Sequence, residues 1–158
     1  MDILEFAINM ELDGEKYYNE QAAINQANSL NTVFLMLAKD EKNHAKILRS
    51  RSQGAPYELN EPVLSTTKSV FQEMVDFKIE TKQKPEQVDL YRLALEKEKQ
   101  SIDLYKKLLS EASAHRELFQ FLIKQEEEHF TIVEEIIRMV NRPNEWVESA
   151  EFGIRKEY

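Results

Sequence analysis

The residues with the clearest chemical potential are Glu126 and His129, which lie three positions apart in a stretch rich in apolar residues. Steps of three and four residues along this stretch give Phe119, Leu122, Glu126, His129, Val133, Ile136 and Val140. This spacing places the side chains on one face of an α-helix, and in a helical bundle that face is the buried seam. An unpaired carboxylate in such a seam is strongly unfavourable. We therefore expect Glu126 and His129 to belong to a buried polar site.

The same pattern occurs earlier in the chain. Steps of three and four residues there give Phe34, Leu37, Glu41, His44 and Leu48. Both stretches thus carry E-x-x-H within an apolar seam. Because the glutamate and the histidine of each motif are three positions apart, their side chains lie on the same face of the helix.

An internal repeat connects these motifs with two other segments. Glu11 and Tyr18 match Glu98 and Tyr105 with an offset of 87 residues, and the two E-x-x-H motifs match with an offset of 85. The repeat therefore predicts two helical hairpins, each with E-x6-Y on its first helix and E-x-x-H on its second. In each hairpin the midpoint of the two glutamates falls near the expected turn, so the two carboxylates lie at the same height.

The predicted elements are four long helices, at about residues 2–27, 32–51, 85–111 and 114–141. Asp2 and Ser113 are suitable N-caps, and Pro85 suits the first turn of a helix. We expect residues 52–84 to cross the bundle lengthwise and to include a short helix from Ser65 to Lys82. We expect Arg142-Pro143 to end the last helix, which leaves a C-terminal tail at 143–158.

These elements predict an all-α fold, a four-helix bundle of two hairpins joined by a long crossover, as a single domain over residues 1–158. With the two turns at opposite ends, both half-sites fall near the middle of helices about 39 Å long, where they meet. The residues brought together are Glu11, Glu41, His44, Glu98, Glu126 and His129.

Four carboxylates cannot remain charged together in a protein core without cations. Two divalent metal ions balance their charge, whereas neutral imidazoles add none. Carboxylate and imidazole ligands suit iron or manganese, and zinc is possible as an adventitious occupant. Glu41 and Glu126 are placed to bridge the metals. Tyr18 and Tyr105 are either core aromatics or donors of hydrogen bonds to ligand carboxylates of the opposite hairpin.

Composition excludes several other classes. The net charge of −8 and the lack of a basic cluster argue against nucleic-acid binding. The chain has no cysteine, which excludes thiolate chemistry and cysteine-held iron or zinc. No apolar run has the length of a membrane span, and the first residues do not resemble a signal peptide, so we expect a cytoplasmic location.

Over about residues 2–141, the order E-x6-Y, E-x-x-H, E-x6-Y, E-x-x-H resembles the ferritin-like diiron-carboxylate superfamily, in particular the diiron domain of rubrerythrin-type proteins. The resemblance implies a non-haem diiron centre that reacts with hydrogen peroxide or dioxygen in oxidative-stress defence, often in a dimer. By motif position it implies the same six ligands. Two features depart from the family. A rubredoxin-like module with four cysteines is not present, and Ser101 stands where an additional glutamate is usual, which moves the site toward a bacterioferritin-like arrangement.

The leading hypothesis is therefore a diiron oxidoreductase that receives electrons from a separate donor protein. A second hypothesis is a ferroxidase or iron-handling protein, for which ferrous iron is a substrate. A third is a metal-free helical bundle that serves as an interaction module, which requires six buried ionisable groups without a metal.

Overall fold

The computed structural model describes residues 2–59, 85–111 and 114–152, with the side chains of 85, 86 and 142–152 excepted. Within these ranges the chain forms four α-helices and no strand, which confirms the predicted all-α class. The helices are α1 (Ile3–Ile24), α2 (Leu30–Ser52), α3 (Pro85–Glu111) and α4 (Arg116–Phe152). Asp2 caps α1 as predicted, because its side chain accepts a hydrogen bond from the backbone N–H of Glu5 at 2.9 Å.

The helices associate as two hairpins, α1 against α2 and α3 against α4. The predicted seams are buried: every seam position from Phe119 to Val140 on α4, and from Phe34 to Leu48 on α2, faces the interior. The spacing of apolar residues along each helix thus determines which face packs inward.

Two apolar clusters fill the bundle, one at each end. The first cluster, at the α1–α2 turn, comprises Tyr17, Tyr18, Ala22, Leu30, Val33, Phe34, Leu37, Ala38, Val88, Tyr91, Ala94, Ile132, Val133, Ile136, Met139 and Val140. The second cluster, at the opposite end, comprises Ala7, Ile8, Ala45, Ile47, Leu48, Tyr105, Leu108, Leu118, Phe119 and Leu122. The polar residues of the predicted site lie between the two clusters.

The membership of these clusters determines the course of the chain. The end of α2 belongs to the second cluster and the start of α3 to the first, so the connection between these helices joins opposite ends of the bundle. The helix expected at 65–82 lies outside the described residues, as do Ser113 and residues 153–158. The division into a single domain remains a prediction.

The end of the last helix differs from the prediction. We expected Arg142-Pro143 to end it, but α4 continues to Phe152. A proline lacks one N–H and opposes the helical turn that precedes it, yet residues after it remain free to adopt helical dihedral angles. The stretch from 144 to 152 contains no glycine and no second proline, and Gly153 follows the end of the helix.

No helix among the described residues is both long and apolar enough to cross a membrane.

Candidate metal centre

Six ionisable side chains from all four helices meet between the two apolar clusters. Each hairpin contributes one glutamate from its first helix and one E-x-x-H motif from its second. All are at least 97% buried: Glu11, Glu41, His44, Glu98, Glu126 and His129. The structure thus brings together every residue that the sequence analysis assigned to the site.

The six residues form two overlapping groups, each with four ligand atoms that lie within 4.8 Å of one another. One group contains Glu11 and His44, and the other contains Glu98 and His129. Glu41 and Glu126 belong to both groups. We call these groups the His44 position and the His129 position. Each group thus has its own Glu–His pair, and the two groups share two carboxylates. This arrangement suits a dimetal centre.

Both histidines present Nδ1 to the carboxylates. Nδ1 of His129 lies 3.0 Å from Oε1 of Glu41, and 3.3 Å from both Oε2 of Glu98 and Oε1 of Glu126. Nδ1 of His44 lies 3.3 Å from Oε1 of Glu11 and 3.6 Å from Oε1 of Glu126. Nδ1 is therefore the nitrogen available to a metal in each position.

The outer nitrogen of each imidazole is held by a residue of the opposite hairpin. Nε2 of His129 lies 3.0 Å from Oδ2 of Asp40, and Nε2 of His44 contacts Oε1 of Gln125. Both partners are buried. Asp40 and Gln125 are not among the site residues predicted from the sequence. A signal was present, because each immediately precedes the glutamate of an E-x-x-H motif with the same offset of 85 residues.

The two repeat tyrosines also connect the hairpins. The Tyr18 hydroxyl donates to Oε2 of Glu98 at 2.6 Å, and the Tyr105 hydroxyl donates to Oε2 of Glu11 at 2.5 Å. Each phenol thus orients the terminal glutamate on the first helix of the other hairpin. Both rings are also part of the apolar clusters, so the two roles considered for these tyrosines are compatible.

Burial and mutual repulsion alter the acidity of the carboxyl groups. Burial, together with the charges of Glu11 and Glu98, raises the pKa of Glu126 to about 8. Burial and the charges of Glu11, Glu126 and Glu98 raise the pKa of Glu41 well above its ordinary value. Burial also opposes ionisation of Glu11, but the charge of His44 and hydrogen bonds from neighbouring groups outweigh it and lower the Glu11 pKa.

The pKa values of the two histidines are raised, which favours the positive imidazolium form beside these acidic groups. Burial disfavours the imidazolium form of His44, but the Glu11 carboxylate outweighs this effect and raises the pKa of His44 to about 9. The pKa of His129 is likewise raised well above its ordinary value, against burial, by the carboxylates of Asp40 and of the three site glutamates that face its ring. In the absence of metal, protons therefore supply the positive charge that the carboxylates require.

The surroundings of the Glu126 carboxylate show whether these residues fit a metal ion. Its side chain is fully buried, and neither of its carboxyl oxygens has a hydrogen-bond partner among the described residues. A buried carboxylate without a donor is costly, and a bound cation would satisfy it. The oxygen and imidazole donors also suit a first-row transition metal. The residues present thus fit a dimetal centre, which speaks against a metal-free interaction module.

A cavity of about 460 Å³ lies between α1 and α3 and reaches the centre. It extends from the exposed residues Phe6 and Lys97 to the buried carboxylates of Glu41 and Glu98. Its lining comprises Phe6, Asn9, Met10, Asp13, Gly14, Tyr17, Tyr18, Glu41, Ala94, Lys97, Glu98, Gln100 and Ser101.

Gly14 keeps space for the carboxylate of Glu41 at the wall of this cavity. A Cβ atom at position 14 would lie 3.1 Å from Oε2 and 3.3 Å from Cδ of Glu41. Glycine weakens a helix interior, so its presence in α1 is explained by this close approach.

Other acidic and histidine residues lie outside the centre. Glu15 is half-buried on α1 and does not belong to either group of ligand atoms. Glu127 is exposed and pairs with Lys106 at 3.7 Å. His115 is exposed next to the start of α4, and its Nδ1 lies 2.9 Å from the Tyr57 hydroxyl.

Comparison with known proteins supports this description. A family model described as Rubrerythrin matches residues 2–137. No curated protein and no solved structure matched the chain. The matched range contains all six residues of the candidate centre, together with Asp40, Gln125 and both repeat tyrosines.

Proposed function

The chain belongs to the rubrerythrin family, and we propose that it is a non-haem diiron oxidoreductase that reduces hydrogen peroxide or dioxygen in oxidative-stress defence. The observation that carries the proposal is the sharing of Glu41 and Glu126 by both groups of ligand atoms. A centre built for a single metal does not need two shared carboxylates. Iron is proposed because the donor set combines carboxylates with imidazoles; manganese fits the same donors.

In this proposal each residue has a defined task. Glu11 with His44, and Glu98 with His129, would hold one ion each, while Glu41 and Glu126 would bridge the two. When bound, the two irons would supply electrons to the oxidant and act as Lewis acids. The hydrogen bonds from Tyr18 and Tyr105 hold the terminal carboxylates in place, so little reorganisation is needed during turnover.

The surroundings restrict what can reach the centre. The apolar clusters on both sides exclude bulk water from the middle of the bundle. The cavity between α1 and α3 is large enough for a small oxidant, and it ends at Glu41 and Glu98. We propose that hydrogen peroxide or dioxygen enters by this route.

The 158 residues contain no cysteine that could hold a second, cysteine-ligated redox centre. We propose a separate electron-donor protein and a homodimeric assembly. Both follow from the resemblance, and neither rests on a contact in the structure.

Repeated turnover tests this function. Protein loaded with ferrous iron would be oxidised with one equivalent of hydrogen peroxide or with dioxygen, re-reduced with a chemical reductant, and oxidised again. We expect the visible absorption of the ferric centre to appear and disappear over many cycles while the iron content per chain stays constant. Loss of iron after the first oxidation would contradict the oxidoreductase assignment.

The second candidate is a ferroxidase that takes ferrous iron as its substrate. The observation that favours it is the number of carboxylates along the cavity, where Asp13, Glu41 and Glu98 would attract a cation. The two functions differ in what they consume. A ferroxidase oxidises many free ferrous ions per chain without added reductant, whereas the proposed oxidoreductase oxidises only the two ions that it retains.

A further inference from the structure

The two positions of the centre are alike in most contacts but differ behind their histidines. Each has one terminal glutamate with a tyrosine hydrogen bond and one histidine that presents Nδ1. Behind His129 stands the carboxylate of Asp40, whereas behind His44 stands the neutral amide of Gln125. Asp40 and Gln125 are matching members of the repeat and are both buried, yet they differ in charge.

The chemistry of the outer partner affects the inner nitrogen. A carboxylate that accepts the Nε2–H hydrogen bond draws positive charge toward Nε2 and makes Nδ1 a stronger donor to a metal. An amide oxygen accepts the same hydrogen bond but carries no net charge, so its effect is weaker. Asp40 also adds a fourth carboxylate to the three of the His129 position, which favours a cation there.

We propose that Asp40 and Gln125 make the two metal positions unequal, so that the His129 position binds a divalent metal ion more tightly and fills first. The proposed class of ligand is a first-row divalent cation. Asp40 and Gln125 act as positioning residues, since each reaches the metal only through a histidine. The inference rests on the proposed dimetal function, and the experiment below separates the two.

The inequality must be distinguished from simple repulsion between two ions that share carboxylates. Repulsion weakens the binding of the second ion in a symmetric centre as well, so two-step binding alone does not show that the two positions differ. Each position must therefore be measured with the other disabled. Glu11→Gln disables the His44 position and Glu98→Gln disables the His129 position, and in both variants the amide oxygen can still accept the tyrosine hydrogen bond.

Cobalt(II) is a suitable probe, because its visible absorption reports binding without any oxidant or turnover. In the full chain, Glu11→Gln keeps only the His129 position and Glu98→Gln keeps only the His44 position. We expect the Kd for cobalt(II) of Glu11→Gln to be about tenfold or more below that of Glu98→Gln.

Two double variants test the outer partners. In the Glu11→Gln background, Asp40→Asn should weaken cobalt binding by about tenfold or more. In the Glu98→Gln background, Gln125→Glu should tighten cobalt binding. A purely structural role of Gln125 cannot produce such a gain.

Glu127→Gln is the matched control, because it also removes one carboxylate adjacent in sequence to a shared glutamate, but from an exposed residue. Its Kd for cobalt should equal that of the parent in either background, and circular dichroism checks that every variant is folded. Equal Kd values in the two single-position variants, or no response to Asp40→Asn and Gln125→Glu, would overturn the inference and leave the dimetal function intact. Absence of cobalt binding to the unaltered chain would instead contradict the proposed function, and the inference with it.

Discussion

The Tyr18 hydroxyl on α1 donates a hydrogen bond of 2.6 Å to Oε2 of Glu98 on α3. This bond links the two hairpins and fixes a terminal carboxylate of the centre. Both partners are buried, so loss of the bond leaves Glu98 without the donor that orients it.

Replacement of Tyr18 by phenylalanine removes this bond and keeps the ring in the first apolar cluster. We expect metal affinity at the His129 position to fall by roughly tenfold, because Glu98 loses the partner that orients it. Metal titration of the variant checks this. Tyr17→Phe is the matched control, since its hydroxyl donates to the carbonyl of Leu90 and not to the centre. An affinity loss of the same size in both variants would contradict the orienting role of Tyr18.

The metal-free protein should lose stability as the pH rises. Glu126 has an ordinary pKa of 4.5 and a folded-state pKa of about 8, and His44 changes from 6.5 to about 9. The folded state therefore binds more protons than the unfolded chain, and the stabilisation present at low pH is lost as the pH rises through this window. Glu11 acts in the opposite direction, because its pKa is lowered, but its contribution is lost only below its ordinary value of 4.5.

Urea unfolding in the presence of a chelator measures this effect. We expect the free energy of unfolding at pH 9 to lie below that at pH 6 by several kcal/mol. Saturation with metal should abolish or reverse the trend, since bound ions replace the protons and bind more tightly as the ligands lose them. A metal-free protein that is as stable at pH 9 as at pH 6 would show that these groups do not share a buried site.

Gly14→Ala should weaken metal binding with little effect on folding. The added Cβ lies 3.1 Å from Oε2 of Glu41, so this carboxylate must shift by a few tenths of an ångström. Alanine meanwhile favours the helix by about 0.5–1 kcal/mol, which offsets part of the strain. Because Glu41 belongs to both positions, affinity for both ions should fall while the free energy of unfolding of the metal-free protein changes by less than about 1 kcal/mol.

Gly54→Ala is the opposite case and serves as control. Gly54 has a φ angle of 70°, and no atom of the described residues lies within 4 Å of the place that a Cβ would take, so alanine there is strained without touching the centre. It should lower stability by about 1 kcal/mol without changing metal affinity. Unchanged metal binding by Gly14→Ala would argue that Glu41 is not a shared ligand.

Ser101→Leu should narrow the route to the centre. Ser101 lines the cavity and donates a hydrogen bond to the Lys97 carbonyl at 3.1 Å, so the larger side chain would occupy space through which an oxidant passes. Stopped-flow oxidation of the iron-loaded protein by hydrogen peroxide should be slowed several-fold, with the iron content unchanged. Ser110→Leu makes the same replacement on α3 at an exposed serine that donates to the Lys107 carbonyl. Equal rates in the two variants would place the entrance elsewhere.

Much of the fold and centre could be predicted from sequence because the chain repeats itself. Glu126 is conspicuous because it is the member of the acidic run 126–128 that falls on the apolar seam, and Glu41 occupies the matching position in the first hairpin. The distances of the glutamates from the turns then place both half-sites at mid-bundle, where they are found.

Other features depend on contacts that periodicity does not report. Asp40 and Gln125 lie one residue away from their seams, and their partners are histidines of the opposite hairpin, so only the packed bundle reveals their role. The continuation of α4 beyond Pro143 was missed for a local reason. A proline disfavours the helix before it more than the helix after it, and the residues that follow it support helical structure.

The number of ferrous ions bound per chain tests the central claim most directly. An anaerobic titration of metal-free protein with iron(II), followed by gel filtration and elemental analysis, gives this number without reference to any oxidant. The shared carboxylates predict two irons per chain, and Glu126→Ala should lose one or both of them. Retention of no iron by the unaltered protein, or an unchanged iron content in Glu126→Ala, would contradict the assignment of these six residues as a dimetal centre.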